Sequence, residues 1–210
     1  MAHLIEAIRE SSLEGAIELL QKTHALIVEQ AIHAQRRIGT NSGAWGAELK
    51  RLEVSLPAGQ LLIGKACEKF VEIINILATT ERTISSLVWL AQRHPNTVLR
   101  ECHASTSDDI EGNDIVLLEA VSRKIVVRCE VTDVISSNAA QNGKEKKDLR
   151  NLGCGASVPK DGVIRYIATS YEFSQALMSK NRKWASMHYR YIPYETKSTD
   201  QTVMLEIVNV

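Results

Sequence analysis

The chain has 210 residues, 44% of them hydrophobic, enough for one hydrophobic centre with a helical extension. Its 25 basic residues balance its 25 acidic ones, which excludes a globally basic nucleic-acid binder and leaves local clusters at Arg36-Arg37, residues 144–150 and residues 180–183 as the places to meet phosphate. The four cysteines form no C-x-x-C pair, and no leader or long apolar span is seen, so the expectation is a reducing, cytoplasmic setting without a membrane partner.

From Leu13, the positions Ile17, Leu20, His24, Ile27, Ala31, Ala34 and Ile38 advance by alternating steps of four and three. This spacing predicts a long helix with a heptad-like stripe, ended by Gly39-Thr-Asn-Ser-Gly43. Such a stripe packs on its own domain by default, or it forms a dimer seam. Residues 1–58 are therefore read as an N-terminal helical extension and residues 59–210 as the α/β core. A second helix is predicted over 60–78, with Leu62, Ala66, Phe70, Ile73 and Leu77 on one face. A third is predicted over 81–93, capped by Thr79-Thr80 and stopped by His94-Pro95-Asn96.

Beyond Pro95 the pattern turns to β-rich runs at 97–104, 114–121 and 124–135. A polar stretch from Ser136 to Arg150 reads as a loop running into a helix. A strand at 162–169, a helix at 171–183 and a strand at 202–208 follow. Helices, three strands, helix, strand, helix, strand specify an α/β fold with a central mixed β-sheet flanked by helices.

The chemistry concentrates in two of these runs. Asp114 opens the second and Glu130 lies near the end of the third. If the two pair as a hairpin through Val121-Ser-Arg-Lys124, both carboxylates converge at one end of the sheet. Phosphodiester hydrolysis needs a metal to polarise a phosphoryl oxygen and activate water, and hard magnesium prefers carboxylate and carbonyl oxygens. Asp114, Glu130 and the carbonyl of Val131 are the candidate ligands. The loop amides Asn138, Gln141 and Asn142, with Lys146, Lys147, Arg182 and Lys183, are candidate contacts to base edges or phosphates, or else an ordinary connection and solvated charge. Aromatic and basic residues interleave again at 188–194, a nucleic-acid surface or simply core. There is no G-x-S-x-G elbow, Walker loop, Rossmann fingerprint or H-E-x-x-H helix. Adjacent Cys102 and His103 are spaced neither for zinc nor for a nucleophile and base.

With Asp114 on the second strand and Glu130-Val131-Thr132 on the third, residues 60–170 resemble the PD-(D/E)xK nuclease superfamily, and in particular small type II restriction endonucleases. The resemblance implies a core of helix, three strands, helix, strand, with Asp114 and Glu130 binding Mg2+, and double-stranded DNA as substrate. It also implies a homodimer, since one such site cuts one strand. Thr132 stands where the family has lysine; it can bond water but cannot offset phosphate charge. Lys144 on the following helix is the favoured substitute, ahead of Lys146 and Lys147. The family's first core helix often carries a glutamate after a glycine, so Gly64-Lys-Ala-Cys-Glu68 makes Glu68 an outer-shell candidate, with Glu48 second. Asp133 is a possible supporting carboxylate. The alternative is a nuclease-fold protein that binds DNA or a partner without cutting.

Overall fold

The computed structural model describes residues 5–38, 43, 45–56, 60–62, 66–104, 112–132, 139–179, 187–192 and 202–209. In chain order, β1 (Ile8–Ser11) leads into α1 (Leu13–Arg36), α2 (Trp45–Arg51) and the short strands β2 (Glu53–Leu56) and β3 (Ala66–Lys69). Then come α3 (Phe70–Arg93), β4 (Thr97–Cys102), β5 (Ile115–Glu119), β6 (Ile125–Val131), α4 (Ala139–Asn151) and β7 (Ile164–Ser170). The chain closes with α5 (Tyr171–Ser179), β8 (Met187–Ile192) and β9 (Thr202–Asn209).

Seven strands form one mixed sheet in the order β1-β4-β5-β6-β7-β9-β8, while β2 and β3 pair separately. The run β4-β5-β6 is an antiparallel meander, and β7 lies parallel to β6. A parallel neighbour needs a crossover, and α4 provides it. The order helix, three antiparallel strands, helix, parallel strand over α3 to β7 is the arrangement expected for the core.

Both faces of the sheet are covered, which explains why β5 reads as a nearly unbroken apolar run and why β7 is buried along almost its whole length. On one face Ile115, Leu117, Val127, Cys129, Tyr166 and Met204 share a core with Leu20 and Ile27 of α1 and Ile73, Leu87 and Leu90 of α3. On the other, Ile167, Val203, Leu205 and Ile207 pack with Leu149 and Leu152 at the end of α4, Phe173 and Leu177 of α5, and Tyr189 of β8.

Three expectations change. The N-terminal segment is not purely helical: β1 extends the main sheet against β4, while the stripe of α1 packs on its own chain, its default expectation, in the same core as α3. The two helices expected over 60–78 and 81–93 are a single 24-residue helix that starts at Phe70. Thr79 and Thr80 lie inside it rather than capping a second one, and Thr80, Thr83 and Ser86 satisfy their hydroxyls on the carbonyls one turn back. Residues 66–69 form β3, paired with β2. Among the described residues no helix is long and apolar enough to cross a membrane.

Candidate metal and phosphate site

The register of β5 against β6 sets Ile115 opposite Cys129. Continuing it by one residue sets Asp114 opposite Glu130 on the face that α4 covers. Directly opposed residues of an antiparallel pair hold their Cβ atoms about 5 Å apart, and like charges there repel. The strand end is tied down by the acid itself: the Val131 N–H donates to Asp114 Oδ2 at 2.7 Å. A strand residue presents its N–H and C=O on the same side, so the Val131 carbonyl also faces the β5 edge, beside Asp114. The expected convergence of Asp114, Glu130 and Val131 is what the structure has.

Glu130 is only 1% exposed, and an amide meets each of its oxygens. Asn113 Nδ2 donates to Oε1 at 2.9 Å, and Asn151 Nδ2, from the end of α4, donates to Oε2 at 3.2 Å. Asn113 is held in turn by Arg128, whose Nη1 donates to its Oδ1 at 3.0 Å. The position of Asn151 follows from how α4 stops. Gly153, at φ 74°, takes the left-handed turn that favours glycine. Its N–H reaches the Arg150 carbonyl, while the Cys154 N–H reaches that of Leu149. This is a Schellman closure, with Cys154 and Leu149 meeting in the second core.

α4 also delivers the charge. Lys144 Nζ lies 3.0 Å from Oδ1 of Asp148, one turn on. Asp148 is 1% exposed, while the lysine side chain keeps 31% of its surface open. Beside them Tyr189 of β8 donates its hydroxyl to buried Glu145 at 2.8 Å. At the tip of β6, Thr132 is buried and its carbonyl accepts Arg82 Nη1 of α3 at 2.6 Å.

Too much negative charge is packed here for too little positive. Burial, and then the facing Asp114, push Glu130 up to about 9 despite its two amides. Burial pushes Asp114 up to about 7 against the pull of the Val131 N–H and the Lys144 charge. Burial likewise takes Asp148 to about 6, opposed by Lys144. For Lys144, burial works downward but Asp148 and Asp114 outweigh it, so the ammonium is held above its ordinary value. Each carboxylate oxygen accepts two bonds, so the amides on Glu130 leave room for a cation. Magnesium is commonly held by one or two carboxylates and keeps several waters. The donor set fits that sparse pattern; among the described residues no three Asp, Glu, His or Cys side chains gather to hold a metal.

Other candidates fall elsewhere. Glu68 is on β3, opposite Val54 of β2 in the two-stranded sheet, and not on the core helix. The glycine-to-glutamate spacing that suggested it belongs to residues outside α3. Glu48 is exposed on α2. Thr132 shares the face of Glu130 by alternation, but it is buried, with no hydrogen-bond partner for its hydroxyl among the described residues; the lysine position is closed to solvent. Lys147 is half-buried and draws on Asp114 and Asp148 through its charge, whereas Lys146 is exposed. Asn138, Asp133, Arg182 and Lys183 lie outside the described residues, as do the side chains of Gln141 and Asn142. Asp148, Asn151, Asn113 and Arg82 were not singled out from the sequence. Lys144, Asp148 and Asn151 do share one face at helical spacing, and that was the available signal. The chain matches no family model, no curated protein and no solved structure.

Proposed function

We propose that this protein is a magnesium-dependent endodeoxyribonuclease that hydrolyses phosphodiester bonds of double-stranded DNA, in the manner of a type II restriction enzyme. One observation carries the reading: Asp114 and Glu130 oppose each other across β5 and β6 at the end of the sheet, with Lys144 close enough for its charge to act on both. Asp114, Glu130 and the Val131 carbonyl would hold the ion, which when bound supplies polarisation of a phosphoryl oxygen and a more acidic water. Asn113 and Asn151 fix the Glu130 carboxylate, so that its orientation does not have to be found at each turnover. Lys144 offsets the charge of the phosphate, the part that Thr132 cannot play. Since one site cuts one strand, double-strand cleavage calls for two chains. The α1 stripe is not their seam, because it is buried against the core of its own chain.

The test is incubation of unmethylated phage-sized DNA with the purified chain, with magnesium or with EDTA, beside Glu130→Ala and Asp114→Asn. Discrete fragments that need magnesium and both carboxylates support a sequence-specific enzyme, and a smear supports a nonspecific one. Full activity in Glu130→Ala would refute the assignment. Buried Thr132 in the lysine position favours a second reading, a nuclease-fold protein that binds DNA without cutting. Salt-sensitive binding with no cleavage selects it.

A further inference from the structure

Resting on that nuclease reading, we infer that Asp148 is the positioning residue for Lys144: it anchors the lysine from beneath, so that one face of α4 presents a fixed cation to the phosphate in place of the charge missing at Thr132.

Three features of α4 carry this. First, the pair is asymmetric in depth. Asp148 is almost fully buried, while the Lys144 side chain retains about a third of its surface, at 3.0 Å. A surface pair at one-turn spacing is worth little, because both partners move and both are hydrated. Here one partner is buried, so the lysine amine is drawn from one side toward a fixed charge; the contact is a close ion pair, without hydrogen-bond geometry at Asp148 Oδ1. Second, the same helix face continues into Asn151, whose amide holds Glu130 Oε2. The helix end is locked by the closure at Gly153 and Cys154, so the spacing between the cation on α4 and the carboxylates on β5 and β6 is set by rigid elements rather than by a loop. Third, Asp148 is an otherwise costly residue. It sits among Asp114, Glu130 and Glu145, and a core selected for stability alone would not add a buried carboxylate to three others. Holding Lys144 is the use that the geometry gives it.

The experiment is single-turnover cleavage of plasmid DNA in magnesium by the wild type, Asp148→Asn, Asp148→Glu, Lys144→Met and the Lys144→Met/Asp148→Asn double variant. DNA affinity is measured in EDTA. The rate at which an N-hydroxysuccinimide ester acylates Lys144 is read by peptide mass. Losing a residue that orients a functional group costs roughly ten- to a hundredfold, so Asp148→Asn is expected to slow the chemical step by at least about tenfold with DNA affinity unchanged. Asp148→Glu should recover most of the rate. In the Lys144→Met background the second change should add less than about twofold, because a positioning residue has nothing left to position. Acylation of Lys144 should quicken in Asp148→Asn. Equal slowing of the wild type and the Lys144→Met chain would make Asp148 merely structural and overturn the inference. So would an acylation rate indifferent to residue 148. A wild type that leaves DNA uncut under magnesium removes the nuclease reading, and the role in cleavage with it. The acylation rates then show separately whether Asp148 anchors the lysine.

Discussion

The electrostatics of the site set how stability responds to pH, and Glu130→Gln isolates the main contributor. In the unfolded chain Asp114 and Glu130 take their ordinary values of 3.8 and 4.5, while in the fold they stand at about 7 and about 9. Between each pair of values the folded chain holds a proton that the unfolded chain has released. Folding therefore loses free energy as pH rises, by about 1.4 kcal/mol per pH unit for each such proton. The sign is that of a raised acid: its favourable contribution is complete below the unfolded value and gone above the folded one. From pH 7 to 9 Glu130 dominates, which for a chain of 210 residues corresponds to a fall in melting temperature of roughly 3–6 °C per pH unit. A glutamine side chain keeps the shape and an acceptor for Asn113, meets Asn151 once that amide turns its oxygen inward, and binds no proton, so Glu130→Gln should melt above the wild type at about pH 8 and show a flatter pH dependence. Thermal unfolding by circular dichroism in EDTA, from about pH 6 to about pH 9, measures both slopes. Magnesium should restore the wild type increasingly as pH rises, since it binds the ionised carboxylates. A wild-type melting temperature that is level or climbing over this window, or a variant whose slope parallels it, would refute the argument.

Three further outcomes are expected. Arg82→Met removes a charged donor from the buried Thr132 carbonyl and should lower the unfolding free energy by about 2 kcal/mol, read from the urea midpoint. Gly153→Ala forces a Cβ onto a backbone at φ 74° and should cost about 1–2 kcal/mol at constant m-value, while Gly155→Ala on the exposed loop beyond it should cost less than about 0.5. Ile27→Ala empties a fully buried position of α1 in the shared core and should destabilise by about 2–5 kcal/mol in a single transition. A separate early transition in that variant would instead detach the N-terminal segment from the core.

What could be read in advance has a common physical basis. β5 and β6 are buried runs bracketed by turn residues, so their pairing follows from strand geometry, whereas the opposition of Asp114 and Glu130 also needs the register shift between Leu117 and Leu118, which no residue pattern announces. The α1 stripe and the stop at Pro95 are equally local. β3 was missed because Leu62, Ala66, Phe70, Ile73 and Leu77 satisfy helical spacing across a boundary at Phe70 that four strand residues are too few to announce. Thr79-Thr80 imitates a cap because the same hydroxyls that cap helices can also turn back on the helix carbonyls. In β8 the interleaved aromatic and basic residues leave surface and core both open from the sequence, and the structure divides them: Tyr189 is buried against Glu145, while Arg190 and Tyr191 are exposed. That distinction depends on α4, which no window around residue 189 contains.

The same dependence explains why Lys144 is singled out by the sequence and Asp148 is not. Lys144 invites attention because the lysine position of the motif is filled by threonine, an argument about missing charge. Asp148 is legible only once α4 lies over β6. A fold assembled for stability alone would bury apolar groups under that helix, as it does farther along at Leu149, Leu152 and Phe173. Instead the helix covers Asp114, Glu130 and Asp148, whose raised proton affinities record how unfavourable their ionisation is there. Carboxylates gathered against such a cost, with Lys144 and Lys147 both half-buried beside them, are what the proposed cation and phosphate site would require. This concentration of unfavourable charge is what makes the end of β5 and β6 the candidate site.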